Sequence, residues 1–446
     1  MEKIWQKNTG SLREVETFTV GKDRELDLLL APYDVLGSIA HVTMLGEVGL
    51  LEAGEVVLLV QKLREIYALV AEGNFTLEEG VEDIHSQVEL MLTRLLGDTG
   101  KKIHSARSRN DQVLVDLKLY LRAELEKTVG TVRSFFDLLQ EKSEAYKGHL
   151  FPGYTHLQLA MPSSFGLWFG AYAESLADDC LQLRAAYALV NKNPLGSAAG
   201  YGSSFPIDRA LTTRLLGFDD LNYNVVYAQM GRGKTERVVA MALAGVAETL
   251  GRLAMDACLY LNQNFDFISF PPELTTGSSI MPHKKNPDVF ELIRAHCNRI
   301  KALPGEVMMM TTNLPSGYHR DLQLLKEHLF PAFKTLNECF QMAELMIRNV
   351  TVRKDILGEE KYKYLFSVEV VNRLVLSGVP FRDAYKQVGL DIESGRFAYE
   401  GELVHTHEGS IGNLCNDAIR SMMEQVLHSF PFTQVSAAEK TLLGRK

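Results

Sequence analysis

The chain has 446 residues, 46% of them hydrophobic, so it is long enough for roughly two to four domains with a substantial buried core. Its 47 Lys and Arg residues against 56 Asp and Glu give a net charge of −9, which argues against a surface that binds nucleic acid or anionic lipid. Because no signal peptide and no apolar run of about 18 residues is found, we expect a soluble cytoplasmic protein that binds no membrane.

The five cysteines are far apart, odd in number and never arranged as CxxC. This pattern suggests neither a disulfide framework nor a zinc site, and it favours reduced thiols in a cytosol.

Residues 104–117, HSARSRNDQVLVDL, indicate the start of a long helix. Asn110 or Asp111 would cap its first turn, but capping leaves Arg109 unexplained. A helix N-terminus favours anions, and arginine recognises a carboxylate at two points. Ser108, Arg109 and Asn110 are therefore candidate carboxylate ligands.

The long helix itself is predicted over residues 112–146, where it would span roughly 50 Å. Its apolar side chains recur at steps of three, four and seven: Leu114, Leu117, Leu121, Leu125, Val132, Phe135 and Leu139. A second proline-free helix, over about residues 235–261, would lie alongside, and strand-like alternation is scarce. We predict an all-α long-helix bundle, with an N-terminal helical domain at 1–105, a central bundle domain at 106–355 and a small helical domain at 356–446.

The segment PGYTHLQLAMP, at 152–162, places Thr155 beside His156, next to an expected helix boundary at Pro162. A single histidine is more often structural than catalytic. Its imidazole can nevertheless transfer a proton near neutral pH, so His156 is a candidate for that role.

Two glycine-rich loops, at 196–204 and 277–279, lack helical periodicity and are either functional loops or plain connectors. The sequence GRGKT at 231–235 resembles the end of a phosphate-binding loop. Ala228 stands where that motif requires glycine and no strand precedes it, which argues against an ATPase.

The segment TTGSSIMPHKKNPDVFELIR, at 275–294, is the richest in chemically useful side chains. Asn286 is predicted to cap a helix whose first residue is Pro287. Ser278, Lys284 and Asn286 would then surround a helix N-terminus that favours a carboxylate. A capped helix with a solvated lysine pair is the alternative.

The segment LPSGYHRDLQLLKEHLF, at 314–330, brings Tyr318, Gln323 and Lys326 into one short stretch. Gln323 and Lys326 are three residues apart and would share one helical face. An exposed polar face explains the same pattern.

Together these segments resemble the argininosuccinate lyase family, within the aspartase and fumarase superfamily, over about residues 25 to 390. GSSIMPHKKNPD is similar to the superfamily loop GSSxMPxKxNP, which fumarases and aspartases also carry. HSARSRNDQV, GYTHLQ, NPLGS with SSFPIDR, and YHRDLQ with KE are similar to the argininosuccinate-specific members.

The resemblance implies a reversible β-elimination of argininosuccinate to arginine and fumarate in arginine biosynthesis, with no metal or organic cofactor. It also implies a homotetramer whose long helices form a central bundle, and active sites that are each assembled from three subunits.

The resemblance further implies roles for individual residues. Ser278 would remove the proton from the carbon next to a carboxylate, and His156, steadied by Glu291, would assist protonation of the leaving nitrogen. Lys284 and Asn286 would bind the carboxylate that takes up negative charge. The rest of the substrate would be oriented by Ser108, Arg109, Asn110, Thr155, Tyr318, Gln323 and Lys326, with Asp27 as a further candidate.

The chain departs from the family pattern near its amino terminus. Asp23 stands in the place of a substrate-contacting serine, while Asp27 aligns with a family aspartate, so the substrate's amino-acid end is expected to be held differently. His283 stands where glutamine is usual, and the segment MGRGKTE also differs.

Three rival functions are open. Another superfamily lyase would act on adenylosuccinate, fumarate or aspartate, but RSRNDQ and the KKN spacing argue against it. A structural protein like the family's lens crystallins would have lost activity, and nothing in the catalytic segments indicates such loss. A plain helical binding module would need no clustered Ser, His, Lys and Asn.

Overall fold

The computed structural model describes residues 13–445, which form mainly α-helices. The helices of this range are α1 (Arg13–Val20), α2 (Asp23–Asp27), α3 (Ala31–Glu47), α4 (Ala53–Ala71), α5 (Ile84–Leu96), α6 (Asp98–Lys101), α7 (Arg109–Ala145), α8 (Phe165–Val190), α9 (Arg209–Leu215), α10 (Val225–Met230), α11 (Lys234–Leu261), α12 (Asp288–Met310), α13 (Leu325–Arg348), α14 (Ser367–Leu376), α15 (Phe381–Glu393), α16 (Asn416–His428) and α17 (Phe432–Leu442).

Short strands pair two by two between the helices. They are β1 (Leu150–Thr155) with β2 (Gln158–Ser164), β3 (Lys192–Asn193) with β4 (Asp220–Leu221), β5 (Ile268–Ser269) with β8 (Thr351–Val352), and β6 (Thr276–Gly277) with β7 (Lys285–Asn286). The 3-10 helices of the described range are Lys102–His104, Pro272–Leu274, Arg320–Leu324, Ile356–Gly358 and Glu360–Phe366.

Five long helices, α7, α8, α11, α12 and α13, pack side by side around the main hydrophobic core. Lys118, near the start of α7, donates to the carbonyl of Lys192 just after α8, with 2.8 Å between Nζ and O. Lys142, near the end of α7, donates to the carbonyl of Arg348 at the end of α13. α8 is therefore antiparallel to α7, whereas α13 is parallel to α7, as in a helix bundle.

The bundle has two ends that carry different loops. At one, the pocket end, Gly233 before α11 lies so close to α12 that a Cβ at position 233 would be 2.6 Å from Thr311 Cγ2. At the other, the hairpin end, the Phe151 ring of β1 packs edge-on against Tyr260 near the end of α11. α7 has 37 residues, so the two ends are roughly 55 Å apart along its axis.

The all-α prediction is confirmed, and so are both long helices, observed at Arg109–Ala145 and Lys234–Leu261. Within the described residues, α11 is also the one helix long and apolar enough to cross a membrane by length and composition. However, 61% of its apolar window is buried inside the protein, as expected for the core helix of a bundle.

The expected helix boundary at Pro162 is wrong, because Pro162 lies in the hairpin β1–β2 and α8 begins at Phe165. His156 and Leu157 form the two-residue turn of this hairpin, with φ of 55° and 58°. The register shifts between Pro152 and Tyr154, which breaks the two-residue alternation that marks a strand in sequence.

The main core extends from Leu30 in the N-terminal region to Leu442 in α17. A second small core joins α14 to α15 through Val371, Ala384 and Val388. The division into domains near residues 105 and 355 stays a prediction.

Candidate active site

A cavity of about 210 Å³ opens at the pocket end of the bundle. It brings together side chains from α2, α7, α13 and the segment between α12 and α13. Six of the predicted site residues line it, and we call them the pocket group: Asp27, Arg109, Asn110, Tyr318, Gln323 and Lys326.

Ser108, rather than Asn110 or Asp111, caps α7. Its Oγ accepts a hydrogen bond from the backbone N–H of Asn110 at 3.2 Å, while Asp111 Oδ1 accepts from the N–H of Ser108 at 2.8 Å. This reciprocal arrangement is a capping box, in which the first and fourth residues satisfy each other's backbone. The Asn110 side chain is consequently free to line the cavity.

Asp111 also anchors the first glycine-rich loop at the pocket end. Its Oδ2 accepts hydrogen bonds from the backbone N–H groups of Gly196 and Ala198, both at 2.9 Å. Burial raises the pKa of Asp111 to about 6 despite these hydrogen bonds. The loop at 196–204 is therefore tied to the start of α7.

Arg109 is held against the segment before α5. Its Nη1 lies 3.3 Å from Glu82 Oε2 and 3.2 Å from Asp83 Oδ2, and its Nη2 donates to Ser86 Oγ at 2.5 Å. Asp83 itself caps α5 by accepting from the N–H of Ser86 at 2.8 Å. These contacts fix the guanidinium at the cavity wall.

Lys326 is 3% exposed and is shared by two carboxylates of α2. Its Nζ lies 2.5 Å from Asp23 Oδ1 and 2.6 Å from Asp27 Oδ1. Burial lowers the pKa of Lys326, but the two carboxylates outweigh burial and keep the pKa above its ordinary value. Burial raises the pKa of Asp23, against the attraction of Lys326.

Gln323 fastens the amino-terminal elements to the same wall. Its Nε2 donates to the carbonyls of Thr19 and Val20, at 3.1 and 3.2 Å, at the end of α1. Gln323 belongs to a 3-10 helix and Lys326 to α13, and both side chains line the cavity.

Sequence reasoning missed five titratable residues that line the cavity: Glu82, Asp83, His85, Arg232 and Arg320. The run EDIH at 82–85 carried a usable signal, since two acids and a histidine stand together at a helix start. His85 Nδ1 hydrogen-bonds Asp34 Oδ1 at 2.7 Å, although residues 34 and 85 are far apart in the chain.

Six further predicted residues, which we call the loop group, lie at the hairpin end: Thr155, His156, Ser278, Lys284, Asn286 and Glu291. The remaining one, Ser108, lies at the pocket end as the cap of α7 and does not line the cavity. Thr155 and His156 are exposed at the hairpin turn, and Lys284 and Glu291 are exposed as well. Within residues 13–445 of one chain, no ion pair joins His156 to Glu291.

Ser278 lies in a loop that β6 and β7 close. Its Oγ accepts hydrogen bonds from the backbone N–H groups of Ile280 at 3.3 Å and Met281 at 3.1 Å. The loop is otherwise open to solvent, with Ile280 85% exposed. This arrangement points two N–H dipoles at the serine oxygen.

The prediction that Asn286 caps a helix beginning at Pro287 is wrong. Pro287 itself is the residue before α12, which begins at Asp288, and Asn286 lies in β7. Asn286 Nδ2 instead donates to Thr276 Oγ1 and to the carbonyl of Gly277, both at 3.4 Å. Asn286 therefore takes part in the pairing of β6 with β7, and within the described residues no side chain caps the start of α12.

One chain does not bring the two groups together. α12 begins beside the loop group and ends beside the pocket group, and its 23 residues span roughly 35 Å. The hairpin follows the far end of α7, while Arg109 begins that helix. A substrate the size of an amino-acid derivative cannot touch both groups within one chain.

Comparison with known proteins decides the family. The chain matches the Lyase family over residues 2–302. It is 62% identical over 444 residues to an argininosuccinate lyase of Phocaeicola vulgatus, covering 100% of both chains. It is 61% identical over 445 residues to an argininosuccinate lyase of Bacteroides fragilis, again covering 100% of both. The chain belongs to the argininosuccinate lyase family.

The fold of this family member is shared with more distant solved structures. The crystal structure of EDDS lyase in complex with formate superposes on this chain with a TM-score of 0.76. The superposition covers 97% of this chain and 95% of the EDDS lyase chain, at 22% sequence identity. At this identity the likeness supports the helical fold alone. The family resemblance drawn from the motifs is confirmed by the full-length identities.

Proposed function

We propose that the protein splits argininosuccinate into arginine and fumarate by a reversible β-elimination, as a step of arginine biosynthesis. The observation that carries this proposal is the 61–62% identity to curated argininosuccinate lyases over the whole chain. The substrate is accordingly a small molecule, and the enzyme is a carbon–nitrogen lyase.

In this reaction Ser278 acts as the base. A serine hydroxyl is a weak base unless its alkoxide is stabilised, and hydrogen bonds to a charged form favour that form. The N–H groups of Ile280 and Met281, which reach Ser278 Oγ in the free protein, supply such stabilisation. Removal of the carbon-bound proton builds negative charge on the adjacent carboxylate, which Lys284 and Asn286 would bind.

His156, oriented by Glu291, assists protonation of the leaving nitrogen. Its position at an exposed two-residue turn lets the imidazole project from the hairpin end towards another molecule. An imidazolium can act as a general acid and deliver a proton to the nitrogen as the carbon–nitrogen bond breaks.

The active site is assembled in a homotetramer from three subunits. The pocket group and the loop group lie roughly 35 Å apart or more in one chain. A complete site therefore needs the pocket group of one chain and the loop group of a neighbouring chain. Four of the long helices also expose large apolar side chains, which a subunit interface would cover. These are Leu181 and Leu189 of α8, Met241 and Met255 of α11, Leu292, Met308 and Met309 of α12, and Met342 and Leu345 of α13.

The cavity holds the amino-acid end of the substrate, while the loop group, Thr155 included, holds the half that becomes fumarate. Its walls carry acids, Asp23, Asp27 and Glu82, as well as cations, Arg109 and Lys326. Such a mixed wall suits a group that carries both an α-ammonium and an α-carboxylate. The cytoplasmic location stays a prediction.

The rival activities gain no support. Relatives from Phocaeicola vulgatus, Bacteroides fragilis, Parabacteroides distasonis and Bacteroides thetaiotaomicron, 60–62% identical to this chain, are argininosuccinate lyases. Nothing favours a non-catalytic structural homologue either.

Fumarate appearance, followed by ultraviolet absorbance, tests the proposal. Purified protein is supplied in parallel with argininosuccinate, adenylosuccinate, malate and aspartate. Fumarate from argininosuccinate alone is expected. Fumarate only from another substrate would contradict the proposed specificity. A folded protein that releases no fumarate from any of the four substrates would favour a structural role.

A further inference from the structure

His85 forms part of the cavity wall and is held from behind by two carboxylates. It is 8% exposed and lies in the first turn of α5. Its Nδ1 lies 2.7 Å from Asp34 Oδ1 on α3 and 3.6 Å from Asp116 Oδ2 on α7. Asp34 and Asp116 are themselves buried. Three elements distant in sequence thus fix the orientation of one imidazole ring.

His85 is surrounded by buried charged groups. Asp34 hydrogen-bonds Nδ1, and Arg107, which donates to Ser38 Oγ at 3.0 Å, contributes a positive charge to the same region. Burial and the neighbouring Asp34 raise the pKa of Asp116 well above its ordinary value, which favours its neutral form. The Asp34 carboxylate is therefore the direct counter-charge of the ring.

The pKa of His85 reflects these neighbours. Burial by itself lowers the pKa of His85, but Asp34, Asp116 and Asp83 outweigh burial and raise the pKa to about 10. At neutral pH the ring is therefore an imidazolium, with an N–H on both nitrogens.

The second ring nitrogen is left for a ligand. Nδ1 is committed to Asp34, and within residues 13–445 no protein group accepts a hydrogen bond from Nε2. The other cations of the cavity wall have carboxylate partners: Arg109 with Glu82 and Asp83, Lys326 with Asp23 and Asp27, Arg232 with Glu236, and, at a longer 3.8 Å, Arg320 with Glu82. His85 thus offers the cavity a charged donor that the protein itself leaves unused.

We infer that His85 is a specificity-determining residue, which binds the α-carboxylate of the substrate's amino-acid half through Nε2–H. Asp23, Asp27 and Glu82 line the same cavity, and each has a second carboxylate oxygen beyond the one nearest Lys326 or Arg109 with which to accept from the α-ammonium. This inference rests on the proposed function for the identity of the substrate, and it adds to the pocket group a residue that its motifs do not include.

Paired ligands test the inference on the full-length protein. Arginine carries the α-carboxylate, while agmatine is the same molecule without it. A charged hydrogen bond contributes enough for the arginine-to-agmatine affinity ratio to fall about 10- to 100-fold in His85→Gln. Agmatine affinity should stay unchanged, and the KM for argininosuccinate should rise more than kcat falls. His428→Gln, which changes an exposed histidine of α16, is the matched control and should keep the wild-type ratio.

An unchanged ratio, or an equal loss of affinity for both ligands, would overturn the inference. If His85→Gln does not fold, calorimetry on the wild type decides. Arginine binding at pH 7.5, measured in two buffers of different ionisation enthalpy, should take up no proton, because the ring is already charged. Uptake of about one proton would contradict a standing imidazolium. A wild type that releases no fumarate from argininosuccinate would instead refute the proposed function.

Discussion

Ser278, the proposed base, accepts hydrogen bonds from two backbone N–H groups at its side-chain oxygen. Neighbouring Ser279 has the same hydroxyl in the same loop, yet no N–H group in the described part of the chain donates to its oxygen. The residue type therefore does not separate the two serines, whereas the loop conformation does.

Replacing Ser278 with alanine should lower kcat by about 10²- to 10⁴-fold, because general-base catalysis typically contributes that much. Fumarate release measures the effect, and the oligomeric state should be unchanged because the side chain lies in a partly open loop. Ser279→Ala is the matched control and should keep most of the activity. Near-normal turnover in Ser278→Ala would remove this residue from the mechanism.

Among the elements, the hairpin β1–β2 is distinguished by the backbone conformation of its two-residue turn. Both residues of its turn have positive φ, and neither is glycine. Asparagine adopts this left-handed conformation more readily than most residues. A substitution at the turn can therefore remove the imidazole without disturbing the backbone.

His156→Asn should keep the hairpin and the thermal stability of the protein, while kcat falls by about 10²- to 10⁴-fold through loss of proton transfer. A pH–rate profile and a melting curve together check this expectation. Unchanged turnover across the pH range would argue against the proton-transfer role, and a lowered Tm would show that the histidine is structural.

For the molecule as a whole, the separation of the pocket group from the loop group is the main consequence of the fold. Helices of 37 and 23 residues are rigid spacers, so no side-chain movement within one chain can join the two ends. Symmetric assembly of identical chains is the common way to bring such surfaces together.

Shared sites predict complementation between inactive variants. Arg109→Gln damages the pocket group and Ser278→Ala the loop group, so each should be inactive alone. Mixed tetramers would contain some sites with the pocket of one chain and the loop of another, both intact. Co-expression should restore part of the fumarate-releasing activity. Sites contained within single chains would show no restoration.

Local patterns in the sequence were enough to determine the long helices. Leu114, Leu121 and Val132 lie on the apolar stripe that predicts α7, because helix periodicity depends only on neighbours three and four residues away. The motif GSSIMPHKKNPD likewise identified the superfamily loop and placed Ser278 and Lys284 in it. The predicted helix starts were less accurate. Ser108 and Pro287 are the residues at the cap positions of α7 and α12, whereas the sequence favoured neighbouring residues for those positions.

Only the tertiary structure decided which of these residues meet. The orientation of the His85 ring depends on its contacts with Asp34 and Asp116. These residues lie on three separate helices, and no periodic pattern in the sequence predicts that they meet. The hairpin was hidden because a register shift near Gly153 breaks its alternation. The sequence thus determined the long helices and the family, since these follow from local pattern and motif. The packing direction of the helices decided that Arg109 and Ser278 lie at opposite ends of the bundle.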